Sequence, residues 1–288
     1  MLALDVKGIN KTYERFSLKD ISFQLEQGYI MGFIGSNGAG KTTTLKSILN
    51  MIRVDSGEVA ILGQNFLEHE ISLKQEVGYA FGGVDFYTKN KLKTVTAVIK
   101  RFYTNWDDEL YRNYLKRFKL DEDKKLSELS EGMKVKYALT LALSYRAKLL
   151  ILDEPTSGLD PVARDNLLEL FQELVEDGEK SILFSTHITS DLEKCADYIT
   201  YIKNGRIIGS GTKDDFINTY KIVRGNMQQL EAIKGKMISY KTNAYGFSGL
   251  INSKDYEPIS GITAEEPTLD EIMIFHAKKE DEDEESTI

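Results

Sequence analysis

The segment GSNGAGKT at residues 35–42 constrains the fold of this chain more than any other part of the sequence. It fits the pattern GxxxxGK[ST], and it lies between an apolar run at residues 29–34 and the helical spacing of Leu45, Ile48 and Leu49. Glycines let backbone N–H groups turn inward around phosphate oxygens at the positive end of a helix. The segment therefore predicts a strand, a phosphate-binding loop and a helix, in that order.

The same loop predicts how a nucleoside triphosphate is held. Lys41 is placed to reach the β- and γ-phosphates, and the Thr42 hydroxyl is placed to bind Mg²⁺. A glycine-rich turn without a ligand is the alternative, and the strand before the loop and the helix after it argue against that reading. The predicted nucleotide-binding residues of this segment are Gly35, Ser36, Asn37, Gly38, Ala39, Gly40, Lys41, Thr42 and Thr43.

A second chemical signal follows an apolar strand in the middle of the chain. The run LLILDE at residues 149–154 brings Asp153 to the Mg²⁺ shell and places Glu154 where an attacking water needs a general base. Two acids at a strand end are a weak signal alone, but their pairing with the glycine-rich loop makes them specific. Because Glu154 is suited to polarise water, we predict hydrolysis of the triphosphate rather than phosphoryl transfer to a metabolite.

Apolar spacing predicts an α/β domain over residues 1–217, in which strands and helices alternate with short turns. Asn204 and Gly205 lie between apolar runs and predict a hairpin turn, and Asp160 is placed to cap a helix. A mostly helical, proline-free pattern at residues 90–146 interrupts the alternation and predicts an inserted helical subdomain. Strands are predicted at residues 21–25, 29–34, 147–152 and 181–184, and helices at 42–51 and 161–176.

The composition changes after residue 217. Residues 218–279 carry short strand-like segments and a helix start, with Thr268 and Glu271 at capping-box spacing, and predict a small accessory domain. Six consecutive acids follow at residues 280–285; without them, 37 basic residues face 39 acids, although the formal net charge of the whole chain is −8. The segment 280–288 is therefore expected to be a disordered, solvated tail on a nearly neutral body.

Composition also argues against several functional classes. A single cysteine, Cys195, cannot form an internal disulfide, and no window approaches the roughly 20 apolar residues that span a bilayer. The chain lacks the basic stripe that nucleic-acid binding requires, so we expect no nucleic acid among its partners. We therefore expect a cytoplasmic protein, whose role at a membrane would come through a partner.

Five motifs in order resemble those of ATP-binding cassette (ABC) ATPases, and the similarity runs from about residue 3 to residue 215. Beside the two motifs above, LSEGM at 129–133 resembles the family signature LSGGQ, SGLD at 157–160 resembles the D-loop, and STH at 185–187 resembles the strand end with the switch histidine. The resemblance implies an α/β P-loop NTPase cassette with an antiparallel β subdomain, a mostly parallel core sheet and an inserted helical subdomain, followed here by a small C-terminal α+β extension.

The resemblance also implies roles for individual residues. In this family two cassettes pack head to tail, and ATP on the loop of one is closed over by the signature of the other. His187 would bond the γ-phosphate, and Tyr13 would stack on the adenine. The implied catalytic residues are Glu154 and His187, the D-loop residue is Asp160, the signature contacts are Leu129, Ser130, Glu131, Gly132 and Met133, and the Mg²⁺ ligands are Thr42 and Asp153.

Two departures from the family pattern bear on activity. Gly82 stands where the family has a glutamine that helps to hold Mg²⁺ and signals to the membrane subunit, and Asp85 or a water is the expected substitute. Glu131 replaces a signature glycine, and Met133 replaces a glutamine. An acid in the first turn of a helix suits the helix dipole, but it would repel a facing triphosphate unless its side chain turns away.

The signature variant LSxGM and the segments DLEKCADYI and PTLDEIM resemble the ATPases of bacterial peptide, lantibiotic and drug exporters, in the style of the phenol-soluble modulin exporters. The resemblance implies an ATPase, peripheral on the inner face of the cell membrane, that dimerises with a second copy or another ABC ATPase and couples to a separate polytopic membrane subunit. The alternatives are an ABC ATPase of translation or DNA maintenance, a regulatory cassette with weak turnover, and a P-loop kinase, which would not need Ser130, Asp160 or His187.

Overall fold

The computed structural model describes residues 1–81 and 88–285 and divides the chain into two compact units. Unit 1 is Met1–Ser210, and unit 2 is Gly211–Ile288. The division lies a few residues before residue 217, where the sequence places a domain boundary. Within the described residues, no helix combines the length and the apolar character that crossing a membrane requires.

Unit 1 alternates strands and helices through most of its length. In chain order its elements are β1 (Leu2–Thr12), β2 (Ser17–Glu26), β3 (Ile30–Ile34), α1 (Lys41–Ile48), β4 (Ser56–Ile61), β5 (Gln64–Asn65), α2 (Glu70–Leu73), β6 (Val77–Phe81), α3 (Leu92–Ile99), α4 (Asp108–Arg117), α5 (Glu131–Ser144), β7 (Leu149–Asp153), α6 (Pro161–Val175), β8 (Ser181–Thr186), α7 (Thr189–Cys195), β9 (Tyr198–Lys203) and β10 (Arg206–Thr212).

Two sheets organise these elements. A four-stranded antiparallel sheet has the order β2-β1-β4-β5, and a six-stranded sheet has the order β10-β9-β3-β8-β7-β6 with a parallel core from β9 to β6. Every residue of β3, β7 and β8 is buried, as expected for parallel strands covered on both faces. Their carboxyl ends meet at one edge, where Ile34 pairs with Thr186 and Asp153 pairs with Ser185. This edge positions the site described below.

The α/β fold with an antiparallel sheet, a parallel core sheet and inserted helices is as expected, and the strands and helices predicted from apolar spacing are present with shifted ends. The strands β1, β4, β5 and β6 were not recognised from spacing. For β1 the reason is its pairing with β2, which carries several register shifts. These shifts break the alternation of buried and exposed side chains along the strand.

The predicted hairpin turn joins β9 to β10 and also touches the glycine-rich loop. Asn204 and Gly205 have φ values of 46° and 70°, which the type I′ turn requires. The Gly205 N–H donates to Ala39 O at 2.9 Å, and the Lys19 N–H donates to Gly205 O at 2.8 Å. A Cβ at Gly205 would lie 1.9 Å from Ser17 O, so only glycine fits. The turn therefore ties β2 and the loop to the end of the core sheet.

Three helices, α3, α4 and α5, fill the region predicted to be helical, and a buried hydroxyl cluster joins them. The Thr96 hydroxyl of α3 lies 2.9 Å from the Tyr111 hydroxyl of α4 and 2.8 Å from the Tyr137 hydroxyl of α5. Tyr137 also donates to Leu92 O at 3.0 Å, and its burial raises the pKa of its phenol far above the usual range. The cluster links α5, whose start carries the signature segment, to α3 and α4.

Unit 2 is a small α+β unit. Its elements are α8 (Lys213–Asn218), β11 (Tyr220–Gly225), α9 (Met227–Ile233), β12 (Met237–Asn243), β13 (Gly246–Asn252), β14 (Thr263–Glu265) and α10 (Leu269–Glu285). The sheet has the order β12-β13-β11-β14 with antiparallel pairs. Its own apolar cluster is formed by Val223, Leu230, Ile233, Phe247, Ile251 and Ile262.

The last helix begins as the sequence predicts and ends later. The Thr268 N–H donates to Glu271 Oε2 at 3.0 Å, and the Glu271 N–H donates to Thr268 Oγ1 at 3.2 Å, which is the predicted capping box. α10 runs to Glu285, so the expectation that residues 280–288 are disordered is wrong for residues 280–285. Once the capped and buried turns around Ile272 nucleate a helix, each added residue gains a hydrogen bond at little cost. Residues 286–288 lie outside the described residues.

Candidate nucleotide-binding site

The glycine-rich loop leads from β3 directly into α1. Gly40, the residue before the helix, has a φ of 111°. A Cβ there would lie 2.8 Å from both Leu18 and Phe16, and a Cβ at Gly35 would lie 2.4 Å from Ile202 O. The loop therefore needs glycine at both positions, one for its backbone conformation and both for close packing.

Lys41 is buried at the first turn of α1, with 6% of its surface exposed. Its Nζ donates to Gly35 O at 2.7 Å and to Ser36 O at 3.1 Å, and it lies 3.1 Å from Glu154 Oε1. The ammonium group is thus held at the centre of the loop and in contact with the predicted general base.

Asp153 ends β7 and joins the loop to β8. Its Oδ2 accepts a hydrogen bond of 2.7 Å from Thr42 Oγ1, and its Oδ1 accepts one of 2.6 Å from Ser185 Oγ. The carboxylate and hydroxyl oxygens suit Mg²⁺, which binds through one or two protein oxygens together with phosphate oxygens and waters. The oxygens of Thr42 and Asp153 therefore fit a magnesium–nucleotide complex, and the described residues contain no group of three or more His, Cys, Asp or Glu side chains that could hold a metal ion.

Glu154 follows β7 in an unusual backbone conformation. Its φ is 50°, in the left-handed region that non-glycine residues rarely adopt. The Glu154 N–H donates to Ser185 Oγ at 2.9 Å, and His187 Nδ1 lies 2.6 Å from Glu154 Oε2. Such strain persists only where the surroundings determine it, and it is concentrated at functional sites. The structure therefore brings Lys41, Glu154 and His187 together, as the motifs predict.

Two openings lie beside these residues. One, of about 190 Å³, is lined by Lys41, Thr42, Thr43, Asn37, Gly38, Gly40, Phe16 and Glu154. The second, of about 450 Å³, is lined by residues 12–17 and Asn204. Tyr13 lies in the second opening, 43% exposed, with Lys11 Nζ 5.6 Å from its ring centroid. Phe16 lines both openings. The sequence motifs do not point to it, although an aromatic residue three positions after Tyr13 could have indicated a second side chain at the nucleotide site.

The signature segment lies at the start of α5. Leu129 is buried, and Ser130 is exposed and caps the helix, with the Met133 N–H donating to Ser130 Oγ at 3.3 Å. Glu131 pairs along its own helix, where Lys134 Nζ lies 2.6 Å from its carboxylate. A Cβ at Gly132 would lie 2.9 Å from a Leu159 methyl group. The charge of Glu131 is thus paired within the helix.

Asp160 caps α6, as predicted. Its Oδ1 accepts from the N–H groups of Val162 and Ala163, each at 3.0 Å. The turn before it continues from Glu154, because the Ser157 N–H donates to Glu154 O at 3.1 Å. Gly82, which stands in place of the family's glutamine, and Asp85, its expected substitute, lie outside the described residues.

Ser185 is the residue of this site whose function the motif left unstated. It connects Asp153 and Glu154, because its hydroxyl donates to the carboxylate of the first and accepts from the N–H of the second. Its position opposite Asp153 in the parallel register of β7 and β8 is the physical reason for this double contact.

The family described as "ABC transporter" matches residues 18–157 of this chain. Over 203 residues the chain is 33% identical to the ABC transporter ATP-binding protein YtrB of Bacillus subtilis, covering 70% of this chain and 69% of the relative. It is 31% identical to the bacitracin transport ATP-binding protein BcrA of Bacillus licheniformis, over 67% of this chain and 63% of the relative. A solved ATP-binding subunit of an ABC transporter superposes with a TM-score of 0.66 at 30% identity, over 74% of this chain and 91% of that one.

Proposed function

This chain belongs to the family of ABC transporter ATP-binding proteins and is an ATPase of that family, and we propose that it powers a bacterial exporter whose membrane-spanning part is a separate polytopic chain. The protein would lie in the cytoplasm against the inner face of the cell membrane. The exporter type is supported by the similarity to BcrA, a bacitracin transport protein, and by the signature variant.

The observation that carries the proposed chemistry is the contact of one carboxylate with two partners. Glu154 meets Lys41 Nζ through Oε1 at 3.1 Å and His187 Nδ1 through Oε2 at 2.6 Å. A γ-phosphate that reaches Lys41 would compete with Glu154 for the ammonium group and leave Oε1 available to accept a proton from water. His187 would hold the other oxygen and orient the carboxylate.

The remaining residues bind and orient the nucleotide. Backbone N–H groups of the loop and the start of α1 would hold phosphate oxygens, and Tyr13 would stack on the adenine ring. When Mg²⁺ is bound, it neutralises phosphate charge beside Thr42 and Asp153. Buried Ser185 would keep Asp153 and Glu154 aligned while these charges change.

The proposal includes a dimer of cassettes, in which Ser130 and Gly132 of one chain contact ATP on the loop of the other. The partner cassette would be a second copy or a different ABC ATPase. Exposure of Ser130 at the start of a 14-residue helix supports this, because the first N–H groups of a helix have no partner within it and attract anions.

Mixing two impaired variants tests the composite site. Lys41→Ala removes the loop contact and Ser130→Ala removes the signature contact, so each variant alone should hydrolyse ATP far more slowly than wild type. A mixed dimer would contain one site with both residues intact, and an equimolar mixture should regain a measurable fraction of the wild-type rate. If wild-type chain is active and the mixture stays as inactive as its components, the head-to-tail arrangement is wrong.

The membrane partner is tested by affinity purification of the tagged chain from detergent-solubilised bacterial membranes. We expect a polytopic membrane protein in stoichiometric amount. The tagged Lys41→Ala variant serves as the nucleotide-binding control. Recovery of ribosomes or DNA in place of a membrane protein would contradict the exporter assignment.

A further inference from the structure

A buried carboxylate lies behind the Glu154–His187 contact. Asp191, in helix α7, has none of its surface exposed. Its Oδ2 accepts from Thr156 Oγ1 at 2.6 Å and from Thr186 Oγ1 at 3.2 Å, and its Oδ1 accepts from Arg164 Nε. Three segments that are separate in the sequence therefore converge on one side chain.

Two of these partners belong to the segments that carry the reacting side chains. Thr156 lies in the turn that begins at Glu154, and this turn is closed by the Ser157 N–H donating to Glu154 O at 3.1 Å. Thr186 comes directly before His187, and its hydroxyl accepts from the Ile188 N–H at 3.0 Å while donating to Asp191. Through the hydroxyl groups of Thr156 and Thr186, Asp191 is hydrogen bonded to the segments that carry Glu154 and His187.

The third partner balances the charge of the carboxylate. Arg164, on α6, is about a quarter exposed and gives its Nε to Asp191 and its Nη2 to Ser190 Oγ at 2.8 Å. A buried carboxylate is tolerated only when it is paired and its oxygens are hydrogen bonded, and all these conditions are met here. Asp191 is therefore a fixed point, because its hydrogen bonds and its ion pair hold the carboxylate in one position.

Such a fixed point matters because the contact it supports depends on geometry. Glu154 keeps a left-handed backbone, with a φ of 50°, and its carboxylate meets His187 at 2.6 Å. A small displacement of either segment would lengthen that contact and misplace the general base relative to the water it must activate.

We propose that Asp191, charge-balanced by Arg164, is a positioning residue that sets the spacing between Glu154 and His187 for ATP hydrolysis. The inference rests on the proposed function of Glu154 as the general base. Asp191 has none of its surface exposed and acts through Thr156 and Thr186.

Single hydroxyl deletions test this without removing the buried charge. Thr156→Val and Thr186→Val each delete one hydrogen bond to Asp191. Thr200→Val is the matched control, because Thr200 is equally buried in the same unit and its hydroxyl bonds Ser210 at 2.7 Å, away from the site. Wild type and the variants are compared by melting temperature and by steady-state kcat and KM for Mg–ATP.

We expect kcat to fall on the order of tenfold in Thr156→Val and in Thr186→Val, with KM within about twofold of wild type, because binding is left intact while the geometry of reaction is not. Thr200→Val should keep kcat and show a similar change in melting temperature. An unchanged kcat in both site variants, or the same loss of kcat in Thr200→Val, overturns the proposal.

A second measurement separates positioning from general loosening of the fold. In a His187→Ala background, where the contact to Glu154 is already lost, Thr186→Val should lower the single-turnover rate far less than it does in wild type. Equal fold losses in the two backgrounds overturn the proposal. A wild-type chain without ATPase activity would instead refute the proposed function itself, so the two failures are distinguishable.

Discussion

The two ends of unit 1 that are predicted to contact ATP are built in different ways. At the carboxyl edge of β3, β7 and β8, Lys41 is 6% exposed and Asp153 is 9% exposed, and each contacts residues from other segments, Lys41 meeting Glu154 and Asp153 accepting from Ser185. At the start of α5 the polar groups are exposed, and Ser130 and Glu131 bond residues of their own helix. The first end is assembled by the chain itself, whereas the second presents a helix start outward.

This difference explains how one chain serves a shared site. The buried edge fixes the reacting groups to within a hydrogen-bond length, which hydrolysis requires. The exposed start of α5 needs only the correct orientation and a positive electrostatic potential, because its proposed ligand arrives with another chain. Substitutions at the two ends should therefore fail differently, the first in chemistry and the second in assembly.

The largest effect is expected from Glu154→Gln. Removing the general base should lower ATP turnover by about 10²- to 10⁴-fold while ATP binding is retained, because the amide cannot accept the proton. Turnover is measured by phosphate release and binding by equilibrium titration. Exposed Glu176 provides the control Glu176→Gln, which should match wild type. Undiminished turnover in Glu154→Gln would refute the assignment of the base.

A smaller effect is expected at the other end, from Ser130→Ala. Loss of a helix cap costs about 1 kcal/mol of stability, and Thr212→Ala removes a comparable cap from α8, where Thr212 Oγ1 accepts from the Asp215 N–H at 3.1 Å. Only Ser130→Ala should lower turnover, by about tenfold, and weaken ATP-driven dimerisation seen by light scattering. Equal turnover in the two variants would reduce Ser130 to a structural cap.

The signature charge gives a third test. Lys134→Ala should leave stability nearly unchanged, because an exposed ion pair contributes at most about 1 kcal/mol, but the released Glu131 carboxylate would face the partner's triphosphate. We expect turnover to fall about threefold, which corresponds to a free energy of the same order as that of an exposed ion pair. Adding Glu131→Gly should restore the rate. No recovery in the double variant would show that Lys134 acts independently of Glu131.

The smallest effect concerns the contact between Asp107, the cap of α4, and Arg146, which follows α5. Backbone bonding from Leu110, followed by the Arg146 guanidinium, holds the pKa of Asp107 below its usual range. A carboxyl with a lowered folded-state pKa stabilises the fold above its unfolded pKa, and this stabilisation is lost as the pH falls through the folded-state value. Wild type should therefore lose more stability than Asp107→Asn as the pH falls over the range from neutral through the folded-state pKa of Asp107.

The urea midpoint at each pH measures this difference, and hydrogen exchange of α4 amides localises it. Asn remains a good helix cap, so the two proteins should be similar at the low end of that range. A parallel decline of both proteins with pH would mean that Asp107 does not contribute to acid sensitivity.

The parts of this site that the sequence predicts are those encoded locally. Gly35 to Thr43 and the pair Asp153–Glu154 occupy short continuous segments whose spacing carries the chemistry. The cap at Asp160 and the turn at Asn204–Gly205 were predictable for the same reason. The Glu131–Lys134 pair is also local, three positions apart on a helix, and spacing alone would have revealed it.

The contacts made by Ser185 and Asp191 could not be found this way. Ser185 meets Asp153 across 32 positions and Asp191 meets Thr156 across 35, so both depend on the parallel register of β7 and β8 and on the packing of α6 and α7. Serine, threonine and aspartate are common residues, and no periodicity marks these. Likewise, the acidic segment after residue 279 looks disordered by composition, although a helix nucleated upstream extends through Glu285.

The strand order of the core sheet has a consequence for the synthesis of this protein. β3, which leads into the glycine-rich loop, is flanked by β8 and β9, and the loop itself is bonded to the turn at Gly205. The two strands that flank β3 and the turn bonded to its loop are therefore translated about 150 residues after it. A nascent chain on the ribosome carries the phosphate-binding sequence early, but we expect the loop to take its final form only after residue 205 has emerged.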